Sequence, residues 1–209
     1  MSKNLDFLLT PLKSLTQLII HRLSKSGWVW LCSEKNLWLL QNKSEIFYLA
    51  EIAAEKIRDI IGQDIVSLHN IKDEPLKNAE NYDFIIFGIS TWDFGELQED
   101  WESIWDDIKD VDLNGKTIAL FGMGDQQGYG QWFQDALGML HDEISSQQYT
   151  LLGLWPNDST YEFEASKALT EDGKHFVGLA LDEDSQYEHS DERIANWVEQ
   201  IMTEYSQTL

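Results

Sequence analysis

The apolar run Phe84-Ile85-Ile86-Phe87, bounded by Asp83 and Gly88, most restricts the folds open to this chain. Four consecutive apolar residues without alternation describe a strand buried on both faces, as in a parallel sheet covered by helices. A second run, Thr117 to Phe121, has the same character. Each leads into a glycine-bearing loop. The first continues Gly88-Ile89-Ser90-Thr91-Trp92-Asp93-Phe94-Gly95, with Trp92 expected in the loop and exposed. The second reads Gly122-Met123-Gly124-Asp125-Gln126-Gln127-Gly128-Tyr129-Gly130. Loops at the carboxyl ends of such strands are where open α/β sheets bind ligands. Trp92 and Tyr129, one on each loop, suggest a slot for a planar ring.

The flanking pattern alternates strand and helix. Leu37-Trp38-Leu39-Leu40 reads as the first strand. Residues 47–61 read as a helix whose stripe is Ile52, Ala53, Lys56, Ile57 and Ile60, stopped by Gly62. Ile65 to Leu68 is the next strand. Trp101, Ile104, Trp105 and Ile108 fall on one face of a helix expected over 101–108. A further helix is expected over 131–145, with Phe133, Ala136, Leu137 and Leu140 inward. Leu151 to Leu154 begins a last strand, which Pro156 interrupts. The polar stretch Asn157 to Lys174 follows, and Phe176 to Ala180 resumes the strand. Asp191 is expected to cap a final helix that buries Ile194, Trp197, Val198 and Ile201. Such alternation implies a parallel sheet with helices on both faces.

The formal net charge is −22. That excludes nucleic acid, whose phosphates would be repelled, and favours a basic protein partner. Residues 1–36 hold five basic residues against two acidic ones, a balance of +3 that leaves −25 for residues 37–209. The contrast marks 1–36 as an extension to a domain at 37–209, dispensable for its fold. A loosely attached tail, a targeting segment and a docking helix are all open readings of it. The single cysteine, Cys32, excludes an internal disulfide. No apolar run reaches the roughly 18 residues of a membrane span. His21, His69, His141, His175 and His189 show neither metal-ligand nor acid–base spacing.

The motifs TWDFGELQEDW, FGMGDQQGYGQWFQDALG, LLGLWP and FVGLALDED stand in an order and spacing that resemble a long-chain flavodoxin of the cyanobacterial and algal type. The resemblance runs from about residue 50 to the end. It implies a five-stranded parallel sheet in the order 2-1-3-4-5, with the fifth strand split by the stretch after Leu154. It implies non-covalent FMN, which in that family lies at the switch point between the first and third strands; that placement belongs to the known family fold and is not deduced from this sequence. Trp92 and Tyr129 match the aromatics that sandwich the flavin. Ser90, Thr91, Asp93, Phe94, Gly95, Gly124, Asp125, Gln126 and Gly128 stand where the family's loops contact the cofactor. The Asp93-Phe94 peptide matches one that flips to accept a hydrogen bond from flavin N5–H. The implied function is a low-potential carrier of single electrons. It is monomeric, works without catalytic residues of its own, and serves partners such as photosystem I and ferredoxin–NADP reductase. The implied place is the cytoplasm, or the chloroplast stroma if the extension is a transit segment.

One family signature is missing. The hydroxyl-rich loop T-x-T-G-x-T, which wraps the FMN phosphate, falls on Ser44, Ile46, Phe47 and Leu49, and only Ser44 keeps a hydroxyl. Three accounts are open: a phosphate held by Asn42, Lys43 and Ser44, a degenerate member that no longer holds FMN tightly, and an altered reading frame upstream of about residue 50. The second would make the protein a flavodoxin-like binding or regulatory protein.

Overall fold

The computed structural model describes the backbone of residues 29–32 and 46–48, and residues 49–209 in full. In chain order these form β1 (Val29–Cys32), α1 (Ile46–Ile61), β2 (Val66–His69), β3 (Phe84–Trp92), β4 (Glu96–Leu97), α2 (Glu99–Ser103), β5 (Thr117–Met123), α3 (Asp135–Ile144), β6 (Thr150–Leu152), β7 (Trp155–Pro156), β8 (His175–Phe176), β9 (Leu179–Leu181) and α4 (Tyr187–Thr208). The main sheet runs β2-β1-β3-β5, and its fifth position is shared. β6 pairs with Thr117–Ala119 of β5, and β9 pairs with Phe121–Met123 of the same strand. All of these pairings are parallel, so the expected 2-1-3-4-5 order holds, split fifth strand included.

Side chains alternate across β3. Ile85, Phe87 and Ile89 join a core with Trp101, Ile108, Leu137 and Leu140 on one face of the sheet. Phe84 and Ile86 join Ala54, Ile57, Ile194, Trp197 and Ile201 on the other. Two cores with one sheet between them make three layers. Gly88 of β3 lies beneath the Phe121 ring of β5, where a Cβ would collide with Phe121 Cζ. Its carbonyl accepts a hydrogen bond from Trp101 Nε1 at 2.9 Å.

Several expectations need correction. The strand expected at residues 37–40 lies outside the described residues, and the central place is taken by Val29–Cys32, hydrogen-bonded between β2 and β3. The sheet therefore draws on the segment 1–36, and the boundary expected at residue 37 cuts inside it. Trp92 is the last residue of β3, not a loop residue, because it pairs with Glu96 of β4; it is half-buried. The helix expected over 101–108 breaks at Ile104 into α2 and a 3₁₀ turn, Trp105–Asp110. Glu102 stands three residues from Glu99 and four from Asp106, like charges at helical spacing, and Ser103 Oγ competes by donating to the Asp100 carbonyl at 2.7 Å. The helix expected from residue 131 begins at Asp135, because Gln134 adopts a left-handed φ of 62° and donates its side-chain amide to the Leu181 carbonyl. Asp191 lies inside α4 rather than at its cap, and pairs with Lys56 of α1.

The stretch 157–174 is pinned to the sheet at Tyr161. Its hydroxyl donates to the Ala180 carbonyl at 2.7 Å and accepts from Trp155 Nε1 at 2.8 Å. The Arg193 guanidinium covers the ring at 4.3 Å. Burial pushes the tyrosine hydroxyl well above its ordinary pKa, so it remains a donor throughout the neutral range.

Two measurements check this architecture. Gly88→Ala should lower the unfolding free energy by about 1–3 kcal/mol, the usual cost of overpacking, as read from denaturant melts. Deleting residues 1–36 removes β1 and should abolish the cooperative transition. A retained transition would show that another segment supplies the strand.

Candidate functional site

The parallel pairing of β3 with β5, from Phe84 opposite Thr117 to Ser90 opposite Met123, brings their carboxyl ends level. The two expected loops therefore open side by side. Between them lies a pocket of about 350 Å³, with a wall that includes Thr91, Trp92, Asp93, Gly124, Asp125 and Tyr129. The volume falls within the range of roughly 300–1,000 Å³ usual for ligand sites. Leu49, Met123, Trp132, Glu183 and Asp184 complete the lining. Trp92 and Tyr129 thus share one slot, as their positions in sequence suggest.

The wall from β3 ends in a tight turn. Gly95 N–H donates to the Trp92 carbonyl at 3.0 Å. Within the turn Asp93 has a φ of 39° and Gly95 a φ of 87°. The first is an uncommon conformation for a residue with a side chain, and it sits in the pocket wall. Thr91 ties this wall to α3, its Oγ1 accepting the Ala136 N–H at 3.1 Å.

The wall from β5 is shaped by Asp125. Its Oδ1 accepts the N–H groups of Gln127 at 3.0 Å and Gly128 at 2.7 Å, which folds the loop and carries Tyr129 toward the pocket. Asp182, fully buried after β9, accepts Gln126 N–H at 3.1 Å and both the N–H and hydroxyl of Ser185. It locks the second loop to the loop that bears Glu183 and Asp184. Four carboxylates therefore line the pocket, at Asp93, Asp125, Glu183 and Asp184. The wall disfavours any ligand that gains negative charge deep in the slot.

The structure separates the other expected contacts from this lining. Phe94 projects outward, 66% exposed, with its ring edge-on to Trp132 at 5.2 Å and Tyr129 at 6.0 Å. Gly95 packs against Trp132 behind the turn, and Gly128 lies over the Asp125 carboxylate. Gln126 is buried and serves the framework, its Oε1 accepting the Glu162 N–H at 2.6 Å. Ser90 is fully buried on β3, with its hydroxyl unpartnered among the described residues. Alternation along β3 turns it to the α1 side, opposite Thr91. Ser44 lies outside the described residues, with Asn42 and Lys43. Ile46, Phe47 and Leu49 belong to the first turn of α1, and Leu49 reaches the pocket as an apolar side chain.

Sequence reasoning missed Trp132, Glu183 and Asp184. The acids stand in the motif LDED and Trp132 three residues beyond Tyr129, so both signals were in view. The expected helix absorbed the tryptophan, and the acids counted only as part of the motif FVGLALDED. Among the described residues no group of three or more His, Cys, Asp or Glu stands together as a metal site.

The chain matches the flavodoxin family over residues 48–197. It is 54% identical over 172 residues to flavodoxin 2 of Escherichia coli, covering 82% of this chain and 98% of that protein. A flavodoxin of Nostoc sp. is 47% identical over 155 residues, 74% of this chain and 89% of its own. Among solved structures, Fusobacterium nucleatum flavodoxin bound to flavin mononucleotide superposes with a TM-score of 0.72 at 24% identity, covering 85% of this chain and 98% of that one.

Stacking on a flat ligand is worth about 1–3 kcal/mol per aromatic. Trp92→Ala and Tyr129→Ala should each weaken flavin binding about 5- to 150-fold in a fluorescence titration. The unfolding transition of the flavin-free protein should stay where it is, since neither ring belongs to the buried cores.

Proposed function

The chain belongs to the flavodoxin family, and we propose that it holds FMN with the isoalloxazine between Trp92 and Tyr129. It is an FMN-based electron carrier and not an enzyme, and its partners are redox proteins. The shared slot of Trp92 and Tyr129 carries the assignment of the ring site.

The residues present fit FMN. The slot offers two aromatic faces with polar backbone at its rim. Among the described residues the buried Ser90 hydroxyl is left without a partner, an orphaned donor on the α1 side of β3 that a bound group could meet. Thr91, Asp93, Gly124 and Asp125 would meet the ring edge. Phe94, Gly95, Gln126 and Gly128 act behind them, setting loop shape.

Bound FMN supplies one-electron redox chemistry; the protein supplies orientation and field. Trp92 and Tyr129 exclude water from both ring faces, which lowers the local dielectric and strengthens every charge nearby. In that setting Asp93, Asp125, Glu183 and Asp184 oppose the arrival of a second negative charge. At about 4 Å and an effective dielectric of about 20, one such pair costs about 4 kcal/mol, and less as the distance grows. The acids thus favour a low potential for the second electron. The same acids, within a chain of net charge −22, suit redox partners with basic docking faces. Photosystem I and ferredoxin–NADP reductase are of that kind. A cytoplasmic monomer accompanies this reading. Among the described residues no helix is long and apolar enough to cross a membrane.

The visible spectrum of protein reconstituted with FMN, followed through an anaerobic reductive titration, tests the reading. Flavin bands and two resolved one-electron steps are expected, the second at the lower potential. A protein that takes up no FMN would overturn the site assignment. Association with ferredoxin–NADP reductase, followed by stopped flow, should slow steeply from low to physiological ionic strength. A rate indifferent to salt would remove electrostatic steering.

A further inference from the structure

The edge of the sheet at β2 carries a second pocket. Among the described residues β2 is the outermost strand. It pairs with β1 on one side, from Val29 opposite Val66 to Cys32 opposite His69, and with no strand on the other. An edge strand presents unpaired N–H and C=O groups along its outer side. There, beside α1 and the turn after β2, lies a pocket of about 500 Å³. Its lining shares no residue with the aromatic slot, and two strand spacings of about 4.8 Å each separate β2 from β3.

The lining selects positive charge. Val66 and Leu68 of β2 supply an apolar part, Glu51 and Glu55 stand one helical turn apart on α1, and Asp73 and Glu74 lie in the turn. Glu74 is fixed in place, accepting from His69 Nδ1 at 2.8 Å and from Asn78 Nδ2 at 3.2 Å. The carboxylates of Glu55 and Asp73 meet no partner among the described residues. Arg58 also lines the pocket, but its guanidinium is committed to Asp59, with Nε at 2.9 Å and Nη2 at 2.8 Å from one oxygen. Acids with so little local neutralisation attract a cation.

Asn70 adds a requirement that charge alone does not meet. It lines the same pocket and is 9% exposed. Its Oδ1 accepts the Lys72 N–H at 2.9 Å, which fixes the orientation of the amide. Nδ2 is thereby left as a buried donor without a partner among the described residues. Such a donor is costly until an acceptor meets it. An ammonium or guanidinium group has no acceptor to offer, whereas a peptide carbonyl has.

We propose that the β2 edge is a docking site for an extended, basic segment of a partner protein. A carbonyl of the segment accepts from Asn70 Nδ2, a lysine or arginine side chain reaches Glu55 and Asp73, and the segment's main chain pairs with the outer side of β2. Strand addition of this kind takes affinity from main-chain bonds and specificity from the side-chain pockets beside them. The site is independent of the flavin assignment. It also leaves the aromatic slot uncovered, so a partner tethered at β2 keeps a second face for the slot.

Calorimetric titration of the full-length protein with a capped hexapeptide of alternating lysine and valine tests this. Saturable one-to-one binding is expected. Asn70→Asp keeps Oδ1 and its bond to the turn, replaces the donor by an oxygen and adds a negative charge. It should weaken peptide binding about 10-fold, whereas a site that merely gathers cations would bind more tightly. Spermidine, a cation without a carbonyl, should lose no affinity in the same variant. Glu55→Gln combined with Asp73→Asn should weaken the peptide about 5-fold. Glu99→Gln combined with Glu102→Gln removes equal charge from exposed positions of α2 and should change the affinity by less than about 2-fold. The Glu55 and Asp73 variant stays informative even if Asn70→Asp impairs folding, since those carboxylates hold no other part of the chain. Absence of saturable binding would overturn the proposal. So would tighter peptide binding by Asn70→Asp, or equal losses from the two charge-removing pairs.

Discussion

The pairing of β3 with β5 sets everything else in this molecule. Seven successive residue pairs run parallel, from Phe84–Thr117 to Ser90–Met123. Close approach is secured at Gly88, where the missing Cβ makes room for the Phe121 ring. Register in a sheet is an all-or-none property, because a slip of one residue turns every side chain to the other face. Here it determines which residues of β3 face α3 and which face α1. It also brings two loop-bearing strand ends level, and so allows Trp92 and Tyr129 to share one slot.

Much of this was legible in the sequence because it depends on local pattern. Unbroken apolar tetrads describe doubly buried strands, and the split last strand shows in part: Leu151-Leu152 and Leu179-Ala180 join the sheet as expected, while Phe176 pairs instead with Trp155 in a separate two-stranded sheet. Ile194, Trp197, Val198 and Ile201 keep helical spacing and are buried as that spacing requires. What failed depends on tertiary contacts. Periodicity could not show that Ser103 would bond back to Asp100 and end α2, nor that Gln134 would turn left-handed to reach Leu181. The central strand was misplaced because Val29–Cys32 and residues 37–40 are both short and apolar, and only pairing partners separate such segments. At the site, the two aromatics were legible as the large residues of two glycine-rich loops. Trp132 was not, because its contact is with a turn far away in the chain.

Charge is arranged differently in the frame and at the rim. Asp135, buried behind the slot, accepts the Lys167 N–H at 2.8 Å and pairs with Lys167 Nζ at 3.0 Å. Asp182 is met by three donors. Buried carboxylates with full hydrogen bonding organise loops without an unpaired charge. Of the acids that line the pocket, Asp93 and Asp184 are exposed and Asp125 and Glu183 half-buried, so their field reaches ligand and partner. A single chain thus uses the same side chain for scaffolding where it is enclosed and for tuning where it is open.

The shared fifth position of the sheet has a topological consequence. β6 leaves β5 at Ala119 and β9 rejoins it at Phe121, so a single residue of β5, Leu120, separates departure from return. The excursion between Leu152 and Leu179 is a closed detour anchored at two nearly coincident points. Closing such a loop costs little more when it lengthens, since the entropy grows only with the logarithm of its length. Segments of this kind are free to drift in length and sequence over generations while the slot stays in place. Several stations restrain that drift, among them Tyr161 beneath Arg193, Glu162 on the Gln126 amide, Glu164 and Ala165 on the Gly130 carbonyl, and Lys167 on Asp135. The detour is thus a graft fastened to the sheet along its inner side, with its outer side left to vary.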